Sequence, residues 1–487
     1  MNKQPLSLIH ALQLTLKNQQ NVEIALQSVK QQEGSYEQSL SSYDPQLTAS
    51  ITRDLTDDFT SSTFQHSNNL DTSTEGSISV SQSFPTGASL SLSASDTLSN
   101  TFGYQSTSFS TSLSYTINIS QPLLQSAFFY SFSNISVVNS ALTLKSTKFT
   151  AIFNISQALL DTINAYWDLL RYEKGAVTAQ QSLDYLDLIA KDVEKLIEQK
   201  RTNKGTLSNV HAQISRRKSD LADLHKSYLQ ASQQLVLKMG ITDRQDFLGE
   251  LITSASDSYP ESAEPPFPKL DQELKEEALK KRADLLSLIV KNESAKINYE
   301  SAKNKRLLNL TANASLELDS DRNRRVSIPS SLSPRNPEKE YSFSLSASYP
   351  LFNHSAKANI KQQKSIYQQQ KQLAEQKKQE IITSLTNAYT ALAQEQQRYE
   401  HLSESQSHTK KLMEEALLKL QGGETSHIND LMQHEEMFFE VLKKIDQAHT
   451  DYSKAIANIL FATGNIIETD SNYEIIRLRG NYTTLPH

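Results

Sequence analysis

Two stretches alternate strictly between apolar and polar side chains. Phe109, Thr111, Leu113, Tyr115, Ile117 and Ile119 fall on one side of the chain, and Ser110, Ser112, Ser114, Thr116 and Asn118 on the other. Tyr341, Phe343, Leu345, Ala347 and Tyr349 alternate in the same way with Ser342, Ser344, Ser346 and Ser348. A period of two is that of a strand with one apolar face. Each stretch ends at a proline, Pro122 or Pro350, and beyond it Leu123–Lys174 and Leu351–Gln421 contain neither Gly nor Pro. Each strand is therefore predicted to deliver into a very long helix. Shorter alternations mark strands at Leu47–Ile51 and Leu308–Leu318, and a hairpin turning at Pro85-Thr86-Gly87. The Asp/Ser/Thr/Asn-rich stretches Thr56–Glu75 and Thr97–Gln105 read as polar loops, and Leu6–Gln38 as one helix.

Past Pro122 the period changes. Leu183, Leu186, Ala190, Val193 and Ile197 are spaced three and four apart. So are Val210, Ile214, Arg217, Leu221, Leu224, Tyr228, Ala231 and Leu235, with Arg217 the one charged member. In the second half Leu431, Glu435, Phe438, Leu442, Ile445, His449, Tyr452, Ile456 and Ile459 follow the same rhythm. A 3.5-residue period keeps an apolar seam against a partner helix through left-handed supercoiling. Each half thus predicts a long antiparallel helical hairpin, with tips near Gly205 and Gly423 and glycine ends at Gly240 and Gly464. His449 in such a seam reads as packing rather than as a ligand, and so does the pair Tyr166-Trp167.

The halves are duplicates. Tyr36-Glu37 matches Tyr299-Glu300, Leu16-Lys17 matches Leu279-Lys280, and Leu47-Thr48-Ala49 matches Leu310-Thr311-Ala312, all at an offset of 263. At the strand exits Pro122 pairs with Pro350, an offset of 228, so the first half carries 35 extra residues in its strand region. The organisation reads as a first repeat over 1–240 (strands 45–121, helical hairpin 123–239) and a Pro-containing connector over 241–269. A second repeat follows over 270–464 (strands 308–349, helical hairpin 351–463), then a tail over 465–487.

Composition excludes more than it selects. The net charge of -6 is spread along the chain and leaves no nucleic-acid footprint. There is no cysteine, hence no disulfide framework, thiol nucleophile or Cys-based metal site. HExxH, Gly-x-Ser-x-Gly and phosphate-cradling Gly-rich loops are missing, and no convergent set of acids and histidines stands out, so neither an enzyme nor a cofactor is expected. No window holds the roughly 18 consecutive apolar residues of a membrane helix, and the opening residues Met1–Pro5 lack a signal-peptide core. Barrel strands also escape hydropathy, because they alternate.

At two strands per half, one chain offers four, too few to close a barrel, which needs about eight to fill. Open strand edges are not tolerated in lipid, so membrane-spanning strands here would have to be pooled, about twelve from three chains. The ordered set of leading helix, strand, loop, strand and long hairpin, duplicated, resembles the TolC family of outer-membrane efflux proteins. The residues that carry the resemblance are Leu12–Asn21 and Glu277–Asp284 opening each repeat, Pro45-Gln-Leu-Thr starting a strand, and Gln121-Pro-Leu-Leu and Tyr349-Pro-Leu-Phe ending strands. Gly-x-x-Ser at both tips and the helix ends at Gly240 and Gly464 complete the set.

The resemblance implies an α+β membrane protein, a homotrimer whose twelve-stranded β-barrel sits in the outer membrane and joins an α-helical coiled-coil barrel crossing the periplasm. It implies a passive exit duct for a tripartite efflux or type I-like secretion system, bordered by outer-membrane lipid. A periplasmic adaptor would dock at the tips, and an inner-membrane pump of RND or ABC type would drive export. The docking residues it implies are Gly205, Leu207, Ser208 and Val210 at the first tip, and Gly422, Gly423, Thr425, Ser426 and Ile428 at the second. The family's entrance acid falls on Asn429, with Asp430 beside it and Glu424 nearby as a further gate candidate. The 35-residue excess fits either an extracellular hairpin or added barrel strands. The competing reading is a structural or adhesive coiled-coil protein with Ser/Thr-rich β segments and no pore.

Overall fold

The structure is a computed structural model, and it describes residues 5–62, 65–102, 107–241, 254–260, 270–322, 338–421, 428–469 and 476–478. The chain opens with β1 (Pro5–Leu6), α1 (Leu8–Asn18) and α2 (Gln20–Leu40). Four strands follow: β2 (Gln46–Ser62), β3 (Gln65–Ser83), β4 (Ser89–Phe102) and β5 (Thr107–Pro122). Next come the long helix α3 (Phe132–Glu198), α4 (Lys204–Lys238) and β6 (Ser254–Ala255). The second half runs α5 (Gln272–Lys281), α6 (Ala283–Asn304), β7 (Asn309–Arg322), β8 (Glu338–Ser348), α7 (His354–Gln421) and α8 (Ile428–Ala462). Two short strands, β9 (Ile467–Thr469) and β10 (Ile476–Leu478), pair antiparallel near the end.

Packing divides the chain into two compact units. One comprises 1–29, 147–287 and 374–487; the other comprises 30–146 and 288–373. Each unit draws on both halves of the chain.

The second unit holds the sheet. Its described strands form one antiparallel meander in the order β2-β3-β4-β5-β7-β8. Thr56–Glu75 and Thr97–Gln105, expected as polar loops, are strand at all their described residues (63–64 and 103–105 lie outside these): β2 and β3 pair from Gln46↔Ser81 to Ser62↔Gln65, and β3 and β4 from Ser83↔Ser89 to Leu70↔Phe102. The ladder is made of backbone groups and does not require the alternation that betrays a half-buried strand, so polar composition hid these segments. Among the described residues the first half therefore contributes four strands to this sheet, and the excess residues form an added pair.

Register aligns the side chains across all six strands. Leu47, Val80, Leu92, Ile117, Leu316 and Tyr341 lie in one row, and Thr48, Ser79, Ser93, Thr116, Glu317 and Glu340 in the next, on the opposite face. The apolar face is most open on the outer strands, where Ile51 is 84% exposed, Leu47 69% and Phe343 83%, whereas Leu113 of β5 is buried. The polar face is cross-linked by side chains, with Ser50 and Ser77 hydroxyls 2.7 Å apart, Ser114 donating to Glu317 at 2.8 Å and Ser120 to Asn313 at 2.7 Å.

The strand-to-helix exit is longer than expected. The helix predicted from Leu123 starts at Phe132, because Ser126 (φ 57°) and Phe128 (φ 52°) take left-handed conformations. The turn between β3 and β4 fixes them: Thr86 O accepts from Phe128 N at 2.8 Å, and Pro85 O from the Ser131 hydroxyl at 2.8 Å. Gly87 (φ 83°) sits so close that a Cβ there would lie 2.9 Å from Ser126 O.

The first unit shows the duplication in its helix ends. The helix expected over Leu6–Gln38 breaks at Gln19, which is extended (ψ 126°); its N–H caps α1 on Thr15 O, and its side-chain carbonyl accepts from Val22 N at 3.1 Å. Arg282, 263 residues on, is extended in the same way (ψ 112°) and separates α5 from α6. Neither break uses Gly or Pro, so neither shows in the pattern. The glycines that end α4 and α8 abut these two breaks. A Cβ on Gly240 (φ 73°) would lie 2.4 Å from Asn18 O, and one on Gly464 (φ 74°) 3.2 Å from Lys281 O. Both helices close with the same pair of backbone bonds: Ile241 N to Val236 O and Gly240 N to Leu237 O, then Asn465 N to Leu460 O and Gly464 N to Phe461 O.

Candidate functional site: the helical tips and the seam behind them

The first tip is a five-residue reversal. α3 ends with Arg201 N donating to Leu196 O and Lys200 N to Ile197 O, both at 2.9 Å, with Lys200 left-handed (φ 58°). Asn203 then caps α4, its side-chain oxygen accepting from Thr206 N at 3.0 Å. Gly205, near which the tip was expected, is an exposed residue in the first turn of α4; Lys200 supplies the left-handed conformation, and Asn203 the helix start. Leu207 is partly buried and Ser208 exposed, donating to Lys204 O at 3.2 Å. Val210 is buried, as is Ile428 at the start of α8. Both face inward and support the tip, so their side chains offer no docking surface on the chain.

At the second tip Gly422, Gly423, Glu424, Thr425 and Ser426 lie outside the described residues. Asn429 and Asp430 are exposed in the first turn of α8, where an acid is favoured by the helix dipole. Behind the tips one apolar cluster joins both hairpins. Leu186, Ile189, Val193 and Leu196 of α3 meet Val210 and Ile214 of α4, Leu420 of α7, and Leu431 and Met432 of α8. A single core of this kind couples the two tips mechanically, since close-packed side chains transmit displacement.

A buried ion pair crosses the seam above that cluster. Arg217 of α4 is 5% exposed, and its guanidinium lies 3.2 Å from the carboxylate of Glu435 on α8, itself 2% exposed. Ser182 of α3 donates to the same carboxylate, and the guanidinium stacks on Phe439 at 3.5 Å from the ring centroid. Burial pushes the Glu435 carboxyl upward, against the Ser182 hydrogen bond and the Arg217 charge that pull it down. Glu435 thus sits in the core, tying α3, α4 and α8 together. The pairing had a sequence signal: each of two seams holds one charged residue, of opposite sign.

Further along the unit, Tyr259 of the connector inserts between Trp167 and His449. Its ring stacks on Trp167 at 6.0 Å and on His449 at 4.9 Å, and its hydroxyl lies 3.1 Å from that of Thr450. His449 also meets Tyr399 at 4.4 Å, a packing role. Asp257 accepts from Leu8 N at 2.7 Å and lies 2.8 Å from the Tyr166 hydroxyl, next to the parallel pairing of β1 with β6. Connector residues of this kind carry no periodicity, so their role was invisible in the sequence. Among the described residues no group of acids and histidines is placed to hold a metal ion.

A meandering sheet with one open apolar face, joined in sequence to long paired helices, defines a class of protein. Residues 274–465 match the family profile of outer membrane efflux proteins. Solved outer-membrane channels share the fold over 94% of this chain. The CmeC channel of Campylobacter jejuni is 12% identical with a TM-score of 0.68 over 85% of its own length. VceC of Vibrio cholerae is 14% identical with a TM-score of 0.65 over 96%. MtrE of Neisseria gonorrhoeae, in its open state, is 16% identical with a TM-score of 0.63 over 88%. No curated protein matches the chain in sequence. Residues 274–465 are therefore similar to the outer membrane efflux protein family, and 94% of the chain shares the fold of the solved outer-membrane channels.

Proposed function

We propose that the chain is the outer-membrane exit duct of a tripartite efflux assembly, working as a homotrimer and a passive conduit. The observation that carries this reading is the apolar row Leu47-Val80-Leu92-Ile117-Leu316-Tyr341 across six strands, with Leu47, Val80, Leu92, Ile117 and Tyr341 exposed, backed by a Ser/Thr/acid face. Among the described residues no helix is long and apolar enough to cross a membrane, so lipid contact falls to the apolar face. A two-faced sheet with lipid on one side and water on the other is the pattern of a channel wall. The similarity of 274–465 to the efflux protein family supports the same reading. The repeats 1–240 and 270–464, the connector 241–269 and the tail 465–487 are the duplicated architecture we assign to it.

The helical tips are the contact for a periplasmic adaptor, with an inner-membrane pump of RND or ABC type supplying energy. The exposed residues Gly205 and Ser208 and the partly buried Leu207 are the surface candidates at the first tip, with Gly422, Gly423, Thr425 and Ser426 at the second. Asn429 and Asp430, with Glu424 as the third residue the resemblance points to, are the gate candidates of an entrance that opens when the tips tilt apart. The rival reading, an adhesive coiled-coil protein without a pore, leaves the apolar face unexplained. The duct is tested by extracting the protein and reconstituting it. Detergent-dependent trimers with stepwise conductance in a planar bilayer are expected, and a detergent-free soluble monomer would sink the proposal. Ser208→Trp separates docking from folding: export falls while trimer yield is unchanged, and undiminished export removes the tip from the adaptor contact.

A further inference from the structure

The two outermost strands of the sheet, β2 and β8, each have one edge without a partner among the described residues. We infer that these edges join one copy of the chain to the next, so that three copies close a barrel of eighteen strands, wider than the twelve-stranded one the family resemblance implied. The inference rests on the trimeric duct proposed above and deepens it.

Three features of the sheet point there. First, the strands run up and down in chain order, and their number is even. A joint between β8 and the next copy's β2 is then antiparallel like every other joint, and an up-and-down barrel follows without a crossover. Second, over their helix-side stretches the two edges lack the devices that soluble proteins use to blunt an edge; the charges of β2 (Arg53, Asp54, Asp57, Asp58) and of β8 (Glu338, Lys339, Glu340) all lie toward the opposite end. Gln46–Thr52 on β2 and Tyr341–Ser348 on β8 contain no charge and no proline, and the ladder beside each runs without a bulge. Both stretches keep the apolar/polar alternation, so the two faces stay continuous across the joint.

Third, the stagger of the strands already has the slope of a barrel wall. Gln46, the helix-side end of β2, is level with Ser81, Ser91, Asn118, Ser315 and Ser342 along the ladder. The helix-side ends of the later strands are Ser83, Ser89, Pro122, Asn309 and Ser348. They overshoot that row by two residues in β3 and β4, four in β5, and six in β7 and β8. A slide of six residues is about 20 Å, gained over five strand spacings of about 24 Å, which is a tilt of about 40° when the ends lie at one level. Barrel strands tilt by about 35–45°. Eighteen such strands enclose a backbone diameter of about 36 Å against about 24 Å for twelve. Two of the six residues of slide fall at the joint of β2 with β3 and two at the joint of β4 with β5, so β3 and β4 belong to the wall rather than to an appended hairpin.

The absence of native cysteine makes the joint directly testable. Ser50→Cys on β2 is combined with Ser342→Cys, Ser344→Cys or Ser346→Cys on β8, all on the polar face, and the full-length protein is oxidised in detergent. The native mass of the same sample is read in parallel. At least one pair is expected to give a covalent ladder up to three chains, in particles of three chains whose images show eighteen strands. Ser93→Cys on β4 replaces Ser50→Cys as the control. Cross-linking of β4 to β8 in its place overturns the inference, since each chain would then bring four strands to the wall. Trimers in which no pair links, or linked particles of two chains, overturn it as well. A particle of one chain instead removes the duct reading itself, so the two failures are distinguishable.

Discussion

The two halves of the chain agree where helices end and disagree where strands are counted. Gly240 and Gly464 close their helices with the same hydrogen bonds, each against a one-residue break, at Gln19 or Arg282. Between those fixed points, among the described residues, the first half builds four strands and the second two. A helix junction is a local steric fit, in which a left-handed residue meets another backbone within contact distance. It changes only at a cost. A meandering sheet accepts a further up-and-down pair, because each strand bonds only to its neighbours and a pair restores both direction and face. It does not accept a single extra strand.

The largest test of that comparison removes strands. Deleting 65–102, the added pair β3 and β4, is expected to leave a detergent-stable oligomer with a narrower wall. Deleting Ser89–Phe102 alone is expected to abolish it, because the remaining odd number reverses one joint. Native mass and semi-native electrophoresis read both outcomes, and equal behaviour of the two deletions would end the pairwise rule. Next in size is the buried ion pair. Arg217→Ala strands the Glu435 carboxyl in the seam and is expected to cost about 3–5 kcal/mol, whereas Arg217→Met with Glu435→Leu is close to neutral. Thermal unfolding of the purified protein measures both.

The junction glycines come third. Gly464→Ala is expected to cost about 1–2 kcal/mol for the left-handed backbone alone. Gly240→Ala costs more, since its Cβ would meet backbone at 2.4 Å rather than 3.2 Å. Equal midpoints for the two variants would deny that the first junction is the tighter.

The smallest effect is a pH dependence around the connector. Burial pushes the Asp446 carboxyl up to about 6, with Lys174 opposing, whereas burial and Lys174 together pull the His449 imidazole down. For Asp446 the folded state holds the proton more tightly, so stability is gained as pH falls through about 6 and lost as it rises. For His449 the unfolded state holds it more tightly, and stability is lost as pH falls through the ordinary histidine range. Asp446→Asn removes the gain and keeps the loss. Between pH 7 and 5 its melting temperature should fall relative to that of the unchanged protein, and parallel pH profiles would refute the assignment.

Much of this was legible in the alternation and the heptads. Phe109–Ile119 and Tyr341–Tyr349 lie in β5 and at β8, and the spacing of Leu186, Val193, Val210 and Ile214 marks residues that are buried in the seam. The first tip lies near Gly205 as its pattern indicated, but the residue that turns the chain was not legible, because a lysine in a left-handed conformation leaves no mark in the sequence. Tyr259 was missed because a buried connector has no period to read. Arg217 and Glu435 were each noticed, but nothing in a single seam says which opposite charge will face it.

By itself the sequence determined the periods, and with them the element types, the duplication at an offset of 263 and the two-faced character of the strands. Those features are local, set by which side chain follows which. Tertiary structure decided the number of strands in the wall, the slope of their ends and the pairing of Arg217 with Glu435. Each of these depends on which distant segment lies alongside. Backbone ladders and buried charges are satisfied by partners, and partners are chosen only when the chain folds.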